Sequence, residues 1–353
     1  MIAASDLASR PPILIKFVGR VPDPTILARQ LSRSMVPSEQ IGFVFDPDAR
    51  DYDWYVVYDN LPSQAGERFA MRREDLACPR ENTILLTSEP SSIKIYDRAF
   101  LRQFGHVISS QEPWAIRHPG YVYSQSRMRW YYGLGSSRRL SVDDMIAAPP
   151  LAKTRMVSTI CSSKSHGHTL HRKRLKFSFE LKRFLPELDL FGHGIRPMDD
   201  KAEALDPYRY HVAVENHRSP HHWTEKLADA FLGCALPFYF GAPNAADYFP
   251  PESFVAIDID QPEETAARIR AAIESEEYER RLPFILEARR RVIEEYNMIP
   301  LVANLAKSAD RRPVSNAGGV IVSQRAARFD HPLSAIGDRA RSVAVQLRNR
   351  WVE

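Results

Sequence analysis

The stretch from Tyr210 to Phe254 constrains the fold of this chain more than any other part of the sequence. It begins with a short apolar run, Tyr210–Val214, which has the length and β-branched content of a buried strand. After a polar loop, apolar residues recur at helical spacing from Leu227 to Phe231, and a second apolar run, Leu236–Phe240, predicts another strand. A strand, a polar loop, a helix and a strand in this order form half of a nucleotide-binding α/β domain.

The polar residues of this stretch lie where such a domain binds its ligand. Glu215 and Asn216 directly follow the first strand, and parallel strands deliver such residues into a crevice at the carboxyl edge of their sheet. Thr224 is suited to cap the helix, and Gly233 is suited to end it. Because a helix N-terminus carries free backbone N–H groups and positive potential, Lys226 in the first turn predicts a phosphate-binding site.

Strands alternate with helical patterns along the rest of the chain, which indicates parallel sheets covered by helices. The Pro-rich stretch Ala147–Pro150 is the best linker candidate, so we predict a Rossmann-like domain at residues 1–148 and a second domain at residues 151–309. Residues 310–353 are predicted to be a basic tail, a flexible link followed by an amphipathic helix at Ala335–Val352. The predicted N-terminal strands are Ile13–Val18, Gly42–Phe45, Asp53–Tyr58, Thr83–Thr87 and His106–Ser109.

Two helix predictions depend on proline. A helix is expected over Pro24–Met35, because proline is favoured in the first helical turn and apolar residues follow at helical spacing. In the second domain a helix is expected from Pro262, with an interruption at Pro283 and a further helix that runs through Tyr296.

The composition is that of an ordinary globular protein, with 44% hydrophobic and 26% charged residues. A net charge of +4 and an isoelectric point of about 8.9 favour anionic partners, such as nucleotide sugars, acidic glycolipids, membrane headgroups or nucleic acid. The cysteines, Cys78, Cys161 and Cys234, are few and odd in number, which predicts buried thiols in a reducing compartment. No stretch of the sequence is apolar over the length that a membrane-spanning helix needs.

The block that begins at Glu215 resembles the donor-binding signature of the α1,3-fucosyltransferase family, glycosyltransferase family 10. The family pattern consists of Phe-Glu-Asn-Ser, a short loop, Tyr-x-Thr-Glu-Lys, a Pro strand, a Gly turn and Pro-x-x-Phe-Ile. This chain departs from the pattern in the loop, where His217 replaces the usual Ser and His221-His222 replace the usual Asp-Tyr. The positions in register with the pattern are Glu215-Asn216, Thr224-Glu225-Lys226, Pro237, Gly241 and Pro251-Glu252-Ser253-Phe254-Val255.

The resemblance implies the GT-B fold, an α/β architecture in which two Rossmann-like domains face each other across a cleft. It also implies an inverting, metal-independent transfer of L-fucose from GDP-fucose to a hydroxyl of a glycan or glycolipid acceptor, with no cofactor and no nucleic acid partner. The chain resembles the compact bacterial members, which implies a cytoplasmic location and, as a further expectation, peripheral association with the inner face of the membrane. The rival interpretations are an enzyme of the same fold that uses another GDP-hexose, and a non-catalytic basic protein that binds glycan or nucleic acid.

The resemblance assigns the donor site to the second domain. In the family a lysine and an arginine, here Lys226 and Arg172, hold the donor diphosphate, and such fixed cations stabilise the charge of a departing nucleoside diphosphate. Glu225 is implied to bind hydroxyls of the donor sugar, and Asn216 is implied to lie in the donor pocket. The structural alternatives are solvated helix faces for the two cations, first-turn electrostatics for Glu225 and loop capping for Asn216. The remaining predicted donor-side residues are Glu215 and Thr224.

Glu89 is the predicted general base. An inverting transfer needs one carboxylate in the acceptor domain to take the proton of the acceptor hydroxyl. Glu89 follows a predicted strand, and Thr87-Ser88-Glu89-Pro90 resembles the short acidic motif that supplies the base in the family. An exposed loop carboxylate is the structural alternative, and Glu112 is the second candidate for the base.

Two other groups of residues are open to more than one interpretation. His166, His168 and His171 have a spacing that suggests a metal site, but no cluster of cysteines or carboxylates accompanies them, which favours solvated or phosphate-side histidines. The run Trp130-Tyr131-Tyr132 predicts either stacking on a sugar or packing in a core.

Overall fold

The structure, a computed structural model, describes residues 13–352 apart from 22, 33, 37–39, 65, 127, 162–169 and 309–317. These residues form strands β1 (Ile13–Gly19), β2 (Ile41–Val44), β3 (Trp54–Tyr58), β4 (Arg73–Asp75), β5 (Thr83–Leu86), β6 (His106–Ser109), β7 (Tyr121–Tyr123), β8 (Arg155–Ile160), β9 (Asp189–Phe191), β10 (Tyr208–Val214), β11 (Leu236–Phe240), β12 (Val255–Ala256) and β13 (Val320–Val322). Their helices are α1 (Thr25–Ala28), α2 (Arg98–Leu101), α3 (Val142–Ala147), α4 (His171–Phe184), α5 (Glu225–Leu232), α6 (Pro262–Glu274), α7 (Glu277–Glu294), α8 (Met298–Ser308), α9 (Gln324–Asp330) and α10 (Pro332–Val352).

The first sheet contains six parallel strands in the order β2-β1-β3-β5-β6-β7. Its central strands are continuous apolar runs, and all residues of β3 and β5 are buried, because both faces of a parallel sheet are covered. The strand order changes direction between β1 and β3, so the loops after these two strands, which begin with Arg20 and Asp59, diverge and leave a crevice at the carboxyl edge.

The second sheet has five parallel strands in the order β12-β11-β10-β8-β9, and its direction changes between β8 and β10. Glu215 and Asn216 follow β10 at this point. A cleft lies between the carboxyl edges of the two sheets, and residues of both sheets line it. The structure therefore confirms the predicted α/β class and its GT-B arrangement of two Rossmann-like units that face each other across a cleft.

The stretch from Tyr210 to Phe254 has the predicted order of strand, loop, helix and strand. Strand β10 and strand β11 pair in parallel over five positions, from Tyr210 opposite Leu236 to Val214 opposite Phe240. Helix α5 begins after Thr224, whose hydroxyl accepts a hydrogen bond from the N–H of Lys226, and ends at Gly233. The cap and the end of this helix are confirmed.

Two helix predictions were wrong. Helix α1 covers only Thr25–Ala28, because the next residue, Arg29, turns its guanidinium to the backbone carbonyls of Trp130 and Leu140 and fixes the chain there. Pro283 does not interrupt a helix but lies inside α7. The break comes earlier, at Glu276, which has a φ of 54° and turns the chain between α6 and α7.

The end of the chain packs against the first sheet. Helix α8 follows the second sheet in sequence but buries Met298, Ile299 and Val302 against strands β1, β2, β3 and β5. Strand β13 pairs with β4, and Ile321 is completely buried in the hydrophobic core on the other face of the first sheet. The predicted flexible link lies mostly outside the described residues. The predicted tail helix is found as α10 and begins three residues earlier, at Pro332.

All three cysteines are buried, as predicted. Among the residues that the structure describes, no helix combines the length and the apolar character needed to cross a bilayer.

Candidate active site

The cleft between the two sheets has a volume of about 270 Å³ and brings together predicted residues from distant parts of the chain. Glu89 lies on the wall formed by the first sheet, and Asn216, Thr224, Glu225 and Lys226 lie on the opposite wall. The other lining residues are Arg20, Tyr58, Asp59, Ser88, Pro90, Met128, Arg129, Tyr131 and His222.

Lys226 is the central cation of the second wall. Its Nζ lies 3.1 Å from Thr224 Oγ1, 3.1 Å from Glu225 Oε1 and 3.2 Å from Glu215 Oε2. Burial lowers the pKa of Lys226, but the two carboxylates outweigh burial and raise it to about 12. The lysine is therefore a permanent positive charge at the N-terminus of α5, where the backbone adds positive potential.

Glu215 lies beneath the cleft and does not line it. Its side chain is fully buried and accepts hydrogen bonds from the N–H of Thr224 at 2.8 Å and from the hydroxyl of Thr224 at 2.7 and 2.9 Å. Burial raises the pKa of Glu215, although Lys226 and Thr224 act against this. Glu215 thus positions Thr224 and Lys226 from below.

Glu225 lines the cleft beside Lys226. Burial acts to raise its pKa, but Lys226 and Lys201 lower it to about 2, so the group is an ionised carboxylate. Such a carboxylate can accept hydrogen bonds from two neighbouring hydroxyls of a sugar.

Asn216 is half-buried at the end of β10, and its Nδ2 lies 3.4 Å from His171 Nε2 at the start of α4. Asn216 therefore lies in the wall of the cleft, where a residue that follows a parallel strand was expected.

Arg172, the predicted partner of Lys226, lies elsewhere in the structure. Arg172 is exposed on α4 and does not line the cleft. Arg174, two residues further, is only 6% exposed, and its Nη1 lies 3.4 Å from the carbonyl oxygen of Val214 at the carboxyl end of β10. Its Nε is buried and has no hydrogen-bond partner among the described residues, and its charge acts on Lys226. Arg174 therefore lies on the side of α4 that faces the sheet, whereas Arg172 lies on the exposed side.

Glu89 is half-buried at the cleft, and its carboxylate makes no hydrogen bond or ion pair with the residues that the structure describes. Burial and then the carboxylate of Asp59 raise the pKa of Glu89, and Glu225 on the opposite wall acts in the same direction. A carboxylate with a raised pKa is a stronger base, and its oxygens are available to a ligand.

Glu112, the second candidate, has another role in the structure. Its Oε1 lies 3.4 Å from His217 Nε2, and this contact joins the two domains. Glu112 does not line the cleft. Although burial acts to raise the pKa of Glu112, His217 and Ser91 lower it.

The three histidines that depart from the family pattern have different surroundings. His222 lines the cleft, donates to or accepts from Ser110 Oγ at 2.9 Å, and is held neutral because burial lowers its pKa well below the usual value. His217 packs edge-on against His222. His221 lies outside the cleft lining, with Nδ1 2.5 Å from the hydroxyl of Tyr248.

The aromatic run divides between the two predicted roles. Trp130 and Tyr132 are buried in the hydrophobic core of the second domain, whereas Tyr131 lines the cleft. The side chains of Arg129 and Lys201 lie 4.9 Å from the centre of the Tyr131 ring.

His166 and His168 lie outside the described residues. Within residues 13–352, apart from the gaps given above, no group of three or more His, Cys, Asp or Glu side chains is arranged to hold a metal ion.

Arg20, Asp59 and Arg129 line the cleft and were not predicted from the sequence, and neither was Arg174 beside them. Arg20 and Asp59 could have been found, since each directly follows one of the two strands between which a doubly wound sheet changes direction. No local signal distinguishes Arg129, because it reaches the cleft from an irregular segment.

Comparisons with known proteins find similar sequences, including a family match in the C-terminal half of the chain. Residues 150–282 match the model for glycosyltransferase family 10 (fucosyltransferase), C-terminal part. An alpha-(1,3)-fucosyltransferase of Helicobacter pylori is 36% identical over 66 residues, which are 19% of this chain and 13% of that protein. A 4-galactosyl-N-acetylglucosaminide 3-alpha-L-fucosyltransferase of Gorilla gorilla gorilla is 27% identical over 175 residues, 44% of this chain and 47% of the relative.

These matches span less than half of either curated relative. A crystal structure of alpha1,3-fucosyltransferase with GDP-fucose is 16% identical and covers 81% of this chain and 92% of that chain, with a TM-score of 0.44. Over residues 150–282, this chain is therefore similar to the C-terminal part of glycosyltransferase family 10.

Proposed function

We propose that this protein is an inverting glycosyltransferase that transfers L-fucose from GDP-fucose to a hydroxyl of a glycan acceptor. The observation that carries the proposal is that a candidate base and a pair of charged residues lie on opposite walls of one cleft. A carboxylate with open oxygens, Glu89, faces a wall that holds the ionised pair Glu225 and Lys226. Fucosyl transfer is also the activity named for the matched family model and for the related proteins.

The proposed donor site uses the second wall. Lys226 and Arg174 bind the diphosphate, and Arg174 replaces Arg172 in this role because its buried Nε has no partner among the described residues. Their two charges stabilise the nucleoside diphosphate as it departs, so we propose that the reaction needs no divalent ion. Glu225 accepts hydrogen bonds from hydroxyls of the donor sugar, while Glu215 and Thr224 hold Lys226 in place.

The proposed reaction is a single displacement. Glu89 takes the proton from the acceptor hydroxyl, the acceptor oxygen forms a bond to the anomeric carbon, and the bond from that carbon to the diphosphate breaks. The new bond forms on the face opposite the leaving group, so the anomeric configuration inverts.

Glu89→Gln tests the assignment because it keeps the shape of the side chain and removes the base. We expect transfer to galactose- and N-acetylglucosamine-terminated acceptors to fall by about 10²–10⁴-fold in kcat, while the affinity for GDP-fucose stays near wild type. Glu112→Gln is the matched control, since Glu112 does not line the cleft, and it should retain most of the activity. The anomeric configuration of the wild-type product, measured by NMR, tests the proposed inversion.

Wild-type activity in Glu89→Gln would assign the base elsewhere. A wild-type protein that binds GDP-fucose but neither transfers nor hydrolyses it would favour the non-catalytic binding protein. If calorimetry showed tighter binding of another GDP-hexose than of GDP-fucose, the rival donor would be favoured. The neutral His222 in the cleft supports that alternative.

Peripheral membrane association and a cytoplasmic location stay predictions. The membrane prediction has support from an exposed apolar row on α9 and α10, formed by Phe329, Leu333, Ile336, Val343 and Leu347. Arg325 and Arg339 are exposed on the same two helices, which suits an anionic lipid surface. Co-sedimentation with anionic vesicles, compared between wild type and Ile336→Glu, would test it, and equal binding by both would contradict it.

A further inference from the structure

We propose that Asp59, a residue of the first domain, is a positioning residue for the base Glu89. The inference rests on the proposed function, because it concerns the carboxylate to which the proton transfer is assigned. Asp59 directly follows β3 at the point where the first sheet changes direction, and it lines the cleft together with Ser88 and Glu89.

The backbone at Asp59 is strained. Its φ is 65°, and the N–H of Asn60 donates a 2.8 Å hydrogen bond to the carbonyl oxygen of Tyr58, which closes a tight turn around Asp59. Residues other than glycine seldom adopt positive φ, and such strain persists where the surrounding structure enforces it, often at functional sites. Here the turn directs the Asp59 carboxylate towards the loop that carries Glu89.

The Asp59 carboxylate holds that loop through two side chains. Its Oδ1 lies 2.8 Å from the Nζ of Lys94 and accepts a short hydrogen bond from the hydroxyl of Tyr96. The same hydroxyl accepts a 3.1 Å hydrogen bond from the N–H of Ser88, the residue before Glu89. Asp59 thereby fixes the backbone that delivers Glu89 to the cleft.

Gln111 holds the other side of the same loop. Its Nε2 donates hydrogen bonds to the carbonyl oxygens of Glu89 at 2.7 Å and Lys94 at 2.8 Å. The loop is therefore tied at Ser88, Glu89 and Lys94, while the carboxylate of Glu89 makes no hydrogen bond with the described residues and faces the cleft. A precisely placed base requires such support from the surrounding residues.

Asp59 also sets the charge around Glu89. Although burial acts to raise the pKa of Asp59, Lys94, Tyr96 and Ser88 lower it, so Asp59 is ionised at neutral pH. The other charges that act on Glu89 are Lys94 from its own loop and Glu225 and Lys226 from the opposite wall. Arg20 and Arg129 also line the cleft, and His222 there is neutral. The negative charge of Asp59 raises the pKa of Glu89, whereas the positive charge of Lys94 lowers it.

Three variants separate positioning from charge. Asp59→Asn keeps the shape, and asparagine tolerates positive φ. The variant removes the negative charge and also weakens the hydrogen bonds from Lys94 and Tyr96 that hold the loop. We expect kcat to fall by roughly 10- to 100-fold, the loss that a small misplacement of a reacting group causes, and the acid limb of the kcat–pH profile to move to lower pH. Lys94→Met removes the opposite charge and should move the acid limb to higher pH. Tyr96→Phe breaks the link to Ser88 without a change of charge, and it should lower kcat while the acid limb stays in place.

The affinity for GDP-fucose should stay near wild type in all three variants. Wild-type kcat and an unmoved acid limb in Asp59→Asn would overturn the inference, and so would a higher acceptor KM at unchanged kcat, which would make Asp59 an acceptor-binding residue. Shifts in the same direction for Asp59→Asn and Lys94→Met would also overturn it. Glu89→Gln distinguishes the two proposals: if that variant is inactive while Asp59→Asn behaves as wild type, only the role of Asp59 fails.

Discussion

The charged residues of the proposed donor wall, which are Glu215, Glu225 and Lys226, stabilise one another. Lys226 stays protonated inside the fold because Glu215 lies below it and Glu225 beside it. Removal of one member leaves the others with uncompensated charge, so a loss of donor binding in Lys226 variants would be mixed with a loss of stability. Arg174 is a cleaner probe of the proposed diphosphate site, because among the described residues its guanidinium makes one long hydrogen bond, to the carbonyl oxygen of Val214.

Arg174→Ala should weaken GDP binding by roughly 10- to 100-fold, the worth of one or two hydrogen bonds to a charged group. Arg172→Ala is the matched control on the same helix and should change the affinity by less than about twofold, because that side chain is exposed. Calorimetry with GDP, with and without EDTA, measures both. Equal losses in the two variants, or a loss caused by EDTA alone, would contradict the proposed diphosphate site.

Among the elements, α5 determines the geometry of the donor wall. The hydroxyl of Thr224 accepts the N–H of Lys226 at the start of the helix and also binds both oxygens of Glu215. The residue that begins the helix therefore also fixes the buried carboxylate under the cleft, and the helix and the site form together.

Thr224→Ala should lower the free energy of unfolding by about 1 kcal/mol or more, because the cap is lost, and should also weaken GDP binding. Ser141→Ala is the matched control: Ser141 caps α3 with its own hydroxyl but does not line the cleft, so its loss should affect stability alone. Urea denaturation and calorimetry on both variants, with Thr224→Ser as the conservative change, provide the comparison. Unchanged GDP affinity in Thr224→Ala would show that the cap has no part in the site.

In the whole molecule, the C-terminal segment completes the first domain. Strand β13 and helix α9 place Ile321, Val322, Ala326 and Ala327 in the core on one face of the first sheet, and α8 covers the other face. The segment after residue 317 is therefore part of the support of the wall that carries Glu89.

Ile321→Ala should cost about 2–5 kcal/mol of stability, as expected for a large aliphatic side chain removed from a core. Val320→Ala, one residue earlier in the same strand and 55% exposed, should change stability by less than about 0.5 kcal/mol. Chemical denaturation of both variants checks this. Similar small effects for the two would mean that the tail is not part of the folded core in solution.

The elements that carry the proposed donor wall could be predicted from the sequence because the signals for them are local. The strand β10, the capped helix α5 and the strand β11 follow within a few tens of residues, and β-branched content, an N-cap threonine and a terminal glycine specify them in order. Glu215, Asn216, Glu225 and Lys226 take their places from these elements alone.

The contacts between elements that are distant in the sequence were determined by the tertiary structure alone. Arg174 rather than Arg172 lies at the sheet because packing fixes the rotation of α4, and spacing on an amphipathic basic helix does not. Asp59 finds Lys94 and Tyr96 across 35 and 37 residues of chain, and Ile321 reaches a core that begins three hundred residues earlier in the sequence. Such contacts are selected by burial and shape over long loops, whose closure costs entropy but leaves no periodic signal in the residues themselves.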